Sequence, residues 1–403
     1  MKRPAHTAGP ASPEKVTSQG GPPAGRRPRI TAIDVMRGLV IVLMMVDHVR
    51  ERFFYHISIG DPINLEVASA SLFFTRLSSH LCAPVFVFLA GLGAWLYAHP
   101  KSGVARSPSH FLFTRGLFLV VPEVVLINQS WFWGFPPEAV YLQVIWVIGL
   151  SMMALSVVVR LPHWAIAVIG LTIVFGHNLL DPINVDPGEL GYTLWTILHD
   201  RGVLFSSEAL TVWISYPALP WIGVIVCGYA LGPVYGANVR PEDRTKRLLQ
   251  LGAGCLMTLV VLRGFNLYGE ALPWTVGATP LETLMSMLNY TKYPPSLAFL
   301  LLTLGLALLL LAWLDTKNNP VTRVLQTFGK APMFVYALHL YVLLVCYTLV
   351  LVTIGPNAGD LYHIDHVWQI WALTALLAAA LYLPTRAFGR YKRRTDKTWV
   401  RYF

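Results

Sequence analysis

Ten apolar stretches run through this chain, and that pattern restricts the fold more than any other feature. The first extends from Arg29 to His56. The other nine lie near 80–98, 112–130, 139–159, 164–180, 214–234, 248–266, 296–314, 332–353 and 367–386. A helix needs about 20 mainly apolar residues to cross a hydrocarbon core ~30 Å thick, and no soluble core of this size needs so many such runs. Composition agrees: of 403 residues, 55% are hydrophobic and only 13% charged, with a mean hydropathy of +0.54. These values describe an integral membrane protein. The expected fold class is therefore all-α, a polytopic membrane helix bundle of about ten transmembrane helices. Residues 30–388 form the membrane domain. Residues 1–29, rich in Pro, Gly, Ala and basic side chains, read as a disordered tail, and 389–403 as a basic C-terminal tail. Arg26-Arg27 precedes no small-residue cleavage site, so the first helix is expected to be retained.

The net charge of +10 does not point to nucleic acid, because the basic residues follow topology. Lys and Arg gather in 1–30, 99–111, 235–247, 315–331 and 386–403, all on one side of a ten-span map. The opposite side holds Arg50, Arg52, Arg76, Arg201, Arg263 and Lys292. The positive-inside rule then puts both termini in the cytoplasm. The long outer loops 51–78, 181–213 and 267–295 carry twelve of the acids and histidines, together with Trp195, Trp213 and Trp274, and Tyr216 follows just after the second. Long loops in a compact protein are functional or disordered, and aromatic faces with a few polar groups suit sugar rings.

The first helix is the least expected of the ten. RITAIDVMRGLVIVLMMVDHVRERFFYH carries Asp34 and Arg37 near its start and Asp47, His48 and Glu51 near its end. At about 100° per residue, Asp34, Arg37, Met44, His48 and Glu51 share one face, with Arg37 and His48 roughly 16 Å apart. A charge at mid-membrane costs about 2.5–3.5 kcal/mol, so this stripe should face protein or a wet cavity. Asp34 and Arg37 fit either an ion pair that snorkels to the interface or a cationic contact for an anionic or amide-rich ligand entering from the cytoplasm. His48 fits either a hydrogen-bonded interface residue or a general base active near pH 7. Glu51 stands three residues on, where it can orient that imidazole, and His56 in the following loop is a second candidate base.

Other polar residues in apolar surroundings carry the same two readings. His339, in YALHLY, lies mid-membrane and suits an interhelical hydrogen bond or a cavity wall. Arg263 and Asn266 in LRGFNLYG and Lys292 in NYTKYPPSL suit either substrate contacts or interface anchors. His363 and His366 form an HxxH, too little for a metal site without further ligands, and no metal is expected. Cys82, Cys227, Cys255 and Cys346 lie in apolar segments without CxxC spacing and read as packing residues. GxxxxGK[ST], HExxH, GxSxG and GxGxxG-after-strand patterns are all missing, so ATP-driven transport, zinc proteolysis and serine-hydrolase chemistry have no support.

Nine phrases in order resemble the heparan-alpha-glucosaminide N-acetyltransferase catalytic-domain family and its bacterial membrane members. They are RITAIDVMRGLVIVLMMVDH, FFTRLSSHLCAPVFVFLAG, FTRGLFLVV, FGHNLLD, YPALPWIGVIVCGYALG, LRGFNLYG, NYTKYPPSL, FGKAPMFVYALHLY and TWVRYF. The resemblance implies an acyltransferase of the bacterial inner membrane. It would take an acyl group, acetyl above all, from cytoplasmic acetyl-CoA and place it on an extracytoplasmic sugar or glycolipid. A related branch of the superfamily carries Arg and His eleven residues apart on its first helix, and Arg37 and His48 fit that spacing. By that analogy Arg37 helps hold the acyl-CoA and His48 is the catalytic histidine. The lysosomal member instead has Asn where His48 falls and a catalytic histidine farther into the loop, which leaves His56 in play. The rival reading is a secondary transporter of a small polar solute, since intramembrane charges also mark ion pathways. Against it, the chain shows no inverted repeat and no matched pair of broken helices.

Overall fold

A computed structural model describes residues 30–100, 104–131, 136–397 and 400. The tail expected over 1–29 and the last residues, 401–403, lie outside them. Helices make up most of the described chain. α1 (Thr31–Phe53) is followed by α2 (Ala70–Ser79) and α3 (Cys82–Ala98), and then by α4 (Ser109–Pro122). At Pro122, α4 loosens into a π turn at Glu123–Ile127 and a tight turn at Asn128–Ser130. α5 (Val144–Val158), α6 (His163–Gly176), the short α7 (Tyr192–Leu198) and α8 (Ala218–Ala230) come next. The chain then forms α9 (Pro241–Gly264), α10 (Pro280–Met287), α11 (Leu297–Leu314), α12 (Pro320–Gly329), α13 (Pro332–Thr353) and α14 (Val367–Arg394). Helix starts are written locally. The side chains of Ser69, Thr279, Ser296 and Asn319 each accept the backbone N–H three residues on, and proline opens α9, α10, α12 and α13.

Among the described residues, eight helical segments are long and apolar enough to cross a membrane. Two more helices fill the remaining expected segments. α5 is apolar but 15 residues long. α1 has 23 residues, enough for about 34 Å, and stands apart because of its charges. The last helix runs on to Arg394, past the boundary at 388 drawn from composition.

The structure departs from the sequence reading at the loops. The helices expected to begin at 139 and 214 are preceded by strands: β1 (Ala139–Leu142), β2 (Gly202–Ser206) and β3 (Thr211–Ile214). They form a sheet in the order β1-β3-β2, with β1 parallel and β2 antiparallel to β3. AVYL and TVWI are rich in β-branched and aromatic residues, which favour strands, and Pro217 holds the chain extended just ahead of α8. The loops expected at 51–78, 181–213 and 267–295 likewise contain α2, α7 with β2 and β3, and α10. These segments are folded, and α2 packs against α1.

Glycine decides how α1 is held. A Cβ on Gly38 would overlap the Leu325 carbonyl of α12, and one on Gly329 would overlap the Asp34 carbonyl of α1. The two helices therefore touch backbone to backbone, as small residues permit in membrane bundles. A second such contact locks α3 onto α8, with Gly91 against the Ile225 carbonyl and Gly228 against the Phe88 carbonyl. With one face of α1 pressed on α12, Arg37 turns toward α3. α13 and α2 cover the other end.

Candidate active site

The site begins where α1 meets α13. His48 Nδ1 lies 2.7 Å from His339 Nε2, and the two rings are nearly coplanar in orientation, 3° apart with centroids separated by 5.0 Å. On its other side His339 Nδ1 lies 2.7 Å from the Val335 carbonyl oxygen. A carbonyl only accepts, so His339 Nδ1 carries the hydrogen. In a neutral ring, Nε2 is then the acceptor and takes a hydrogen bond from His48 Nδ1. His48 Nε2 is left with its lone pair. His339 is fully buried, whereas His48 remains partly accessible. Two distant helices thus set one tautomer and present one basic nitrogen.

Aromatic walls surround that nitrogen. Trp131 meets the His48 ring edge to face at 5.4 Å and Tyr336 does so at 6.0 Å. Trp131 reaches this position through the irregular end of α4. There Asn128 donates to the Glu123 and Tyr141 carbonyls at 2.8 and 3.0 Å and accepts from Tyr141 N–H at 2.7 Å. Tyr341 of α13 donates to the Leu126 carbonyl at 2.8 Å. Arg52 closes the arrangement by donating to the Trp131 and Ser130 carbonyls, both at 2.9 Å, with its guanidinium 5.2 Å from the Trp131 ring centre. A π turn at a functional site is a recurrent device for turning a side chain inward.

The acids nearest His48 have other partners. Asp47 accepts from Arg50 Nε at 3.0 Å and pairs with Arg76 of α2. Arg76 also reaches Asp61 at 3.4 Å, and Arg50 donates to Glu51 at 3.1 Å. Glu51 therefore serves the arginines, and the group that orients His48 is His339. The reason is directional: consecutive helix residues point about 100° apart, and α2 brings Arg76 to the face that Asp47 shares with Arg50. At the other end of the helix, Arg37 donates to Asp34 Oδ1 at 3.4 Å and to the Leu89 carbonyl at 3.3 Å, with a quarter of its side chain exposed.

The remaining expected residues divide clearly. Lys292 is buried, at 4% exposure, and stands near the His48 cluster. Arg263 is buried too, but its guanidinium is taken up by carbonyls of the 267–295 segment: Met287 at 3.1 Å, Leu272 at 2.5 Å, Ser286 at 3.0 Å and Asn289 at 2.9 Å. It clamps the fold of that segment. Asn266, at positive φ of 48°, exchanges two 3.1 Å hydrogen bonds with the Trp274 backbone and is a turn residue. His56 is exposed and packs on His363 and Phe54, apart from the His48–His339 pair.

Sequence reasoning missed Trp131, Tyr336, Arg76 and His80 as site residues. His80, at 1% exposure, has neither ring nitrogen hydrogen-bonded. Its position four residues after Arg76, at the C-terminal cap of α2, was the available signal.

No curated protein is significantly similar to the chain. A family model described as heparan-alpha-glucosaminide N-acetyltransferase, catalytic, matches residues 29–261, more than half of the chain. That match covers α1 with both Arg37 and His48, and runs on through α8 into α9; Lys292 and His339 lie beyond it. The chain therefore belongs to the heparan-alpha-glucosaminide N-acetyltransferase catalytic family, a family of membrane acetyltransferases.

Proposed function

We propose that this protein transfers an acetyl group from acetyl-CoA, bound at the Arg37 end, to a sugar or glycolipid amine or hydroxyl that enters at the His48 end. Both termini and the Arg37 end face the cytoplasm in this reading, and the membrane is the bacterial inner membrane. The observation that carries it is the Val335–His339–His48 hydrogen-bond chain, which leaves a basic nitrogen at His48 Nε2 on the helix that also bears Arg37. The two side chains are separated by about half of α1, or roughly 16 Å. The extended pantetheine arm of coenzyme A is of that order, so Arg37 can meet the phosphate-bearing part while the thioester lies beside His48.

The chemistry asked of the protein is modest, because a thioester is already activated. His48 Nε2 takes the proton of the acceptor N–H or O–H as that atom attacks the carbonyl carbon. The same imidazolium then protonates the departing thiolate, so no net proton is left on the enzyme. His339 cannot pass a proton onward, since its Nδ1–H faces a carbonyl; it keeps the His48 tautomer. Trp131 and Tyr336 keep water away and offer flat faces to a sugar ring.

The test uses full-length protein in detergent, where no compartments exist, with acetyl-CoA and methyl α-glucosaminide as probe acceptor. Acetyl-CoA consumption that needs the acceptor, is abolished by His48→Ala and survives His56→Ala is the expected result. Arg37→Ala should raise the KM for acetyl-CoA. Equal turnover by wild type and His48→Ala would overturn the assignment.

A further inference from the structure

The segment after α10 is held more firmly than a connecting turn requires. Glu270 accepts from Thr291 N–H at 3.0 Å, from the Thr291 hydroxyl at 2.6 Å and from the Ser296 hydroxyl at 2.6 Å. Asp61 accepts from the Lys292 N–H at 2.9 Å, Ser296 N–H donates to the Thr291 carbonyl at 2.9 Å, and Lys292 pairs with Pro295 across a one-residue bridge. Two acids, from the 51–78 and 267–295 segments, are thus spent on the backbone and hydroxyls of three residues, Thr291, Lys292 and Ser296. The side chain at the centre of this clamp is Lys292.

Its ammonium is the anomaly. Lys292 is 4% exposed, yet among the described residues the ammonium donates no hydrogen bond and pairs with no carboxylate. Its one close partner is the face of Tyr293, 4.9 Å from the ring centre. The nearby acids Asp47, Asp61 and Glu51 are occupied by Arg50 and Arg76. Lys292 belongs to the same cluster as His48: its backbone N–H is held by Asp61, Asp61 reaches Arg76, and Arg76 pairs with Asp47, the chain neighbour of His48. A charge with so little solvent and no protein acceptor is costly; unlike the ring nitrogens of His80, it is not sealed from contact, and a rigid clamp that keeps it so is a mark of preorganisation. The Tyr293 hydroxyl is fixed in turn by the Tyr216 hydroxyl at 3.1 Å.

We infer that Lys292 is a catalytic residue: its ammonium neutralises the oxyanion formed when the acceptor attacks the thioester beside His48. This rests on the acetyl-transfer reading above. In the step, the acceptor's lone pair forms the new bond to the carbonyl carbon and the C=O π pair moves onto oxygen. His48 Nε2 receives the acceptor's proton. The oxygen, now anionic, lies against the Lys292 ammonium, which supplies the hydrogen bond it lacks in the resting protein. When the tetrahedral centre collapses, the C–S bond breaks, sulfur takes the electron pair and the proton from His48, and Lys292 is unchanged. A cation that finds its partner only in the transition state raises kcat and leaves ground-state binding alone.

The experiment compares wild type, Lys292→Met, Lys292→Arg and His48→Ala as full-length proteins in detergent, with acetyl-CoA and methyl α-glucosaminide. Lys292→Met should lower kcat about 100–1,000-fold, the usual effect of removing one oxyanion donor. Both KM values should stay within about twofold, and the melting temperature should be equal or higher, because an unpaired buried charge is gone. Lys292→Arg should recover part of kcat. A wild-type kcat in Lys292→Met, a loss confined to KM, or a lowered melting temperature would overturn the role of Lys292 while acetyl transfer stood. An inactive wild type, or an active His48→Ala, would overturn the acetyl-transfer reading and this inference with it.

Discussion

Replacing His339 with leucine separates tautomer control from every other role of this site. The imidazole donates to Val335 at 2.7 Å and accepts from His48 at 2.7 Å. Leucine fills similar space with neither function. The Val335 carbonyl keeps its helical N–H partner, so little is lost there. His48 loses the acceptor that holds the hydrogen on Nδ1. One hydrogen bond of this kind contributes a net ~1–1.5 kcal/mol, a factor of about 5–13 in tautomer preference. Freedom of the ring to turn out of its present stack adds about tenfold again through lost orientation. The expected outcome is a kcat lowered roughly 50–130-fold with KM for acetyl-CoA unchanged, measured by thiol release from acetyl-CoA. His339→Gln, whose amide oxygen can take the place of Nε2, should recover part of the loss. A His339→Leu protein with wild-type kcat would refute the argument that this ring selects the basic nitrogen.

Four further variants test the scaffold. Gly329→Val would drive a side chain into the Asp34 carbonyl, and should cost more than about 3 kcal/mol, seen as loss of the monodisperse peak in detergent. Gly254→Ala, with open space around it, should instead be tolerated or slightly stabilising. Arg263→Ala strands four carbonyls and should destabilise the 267–295 segment by about 2–5 kcal/mol, read as faster limited proteolysis there. At His199, burial opposes the charged ring, but its hydrogen bonds to Asp181 and Asp200 push the pKa up to about 9. Because this lies above the unfolded value near 6.5, the stabilisation is complete below about pH 6.5 and is lost as pH rises through about 9. His199→Gln should remove that loss from the melting-temperature profile between those values.

Much of the fold was legible because hydrophobic length is a local property. Runs of apolar residues mark helices whatever they pack against, and the caps at Ser69, Ser296 and Asn319 mark where they start. The strand at 139–142 was read as helix and that at 211–214 almost wholly as loop, because a short apolar run has no period of its own, and only pairing between residues as far apart as Ala139 and Thr211 distinguishes them. Within the site, the shared face of Arg37 and His48 follows from helical geometry alone. The partner of Asp47 does not: Arg76 competes from α2, a helix that the sequence reading placed inside a loop.

By itself the amino-acid order determined the membrane class, the charge asymmetry and a first helix with a cation at one end and an imidazole at the other. Each of these follows from composition and helical spacing along the chain, without any contact between distant segments. Only the tertiary structure decided which nitrogen of His48 is basic, because its partner lies 291 residues away and no spacing rule connects them. It likewise separated two buried cations that look alike in sequence. Arg263 is saturated by carbonyls, while Lys292 is held by a clamp that gives its ammonium no acceptor. Hydrogen-bond satisfaction is a property of what surrounds a group in space, and that surrounding is assembled only when the chain has folded.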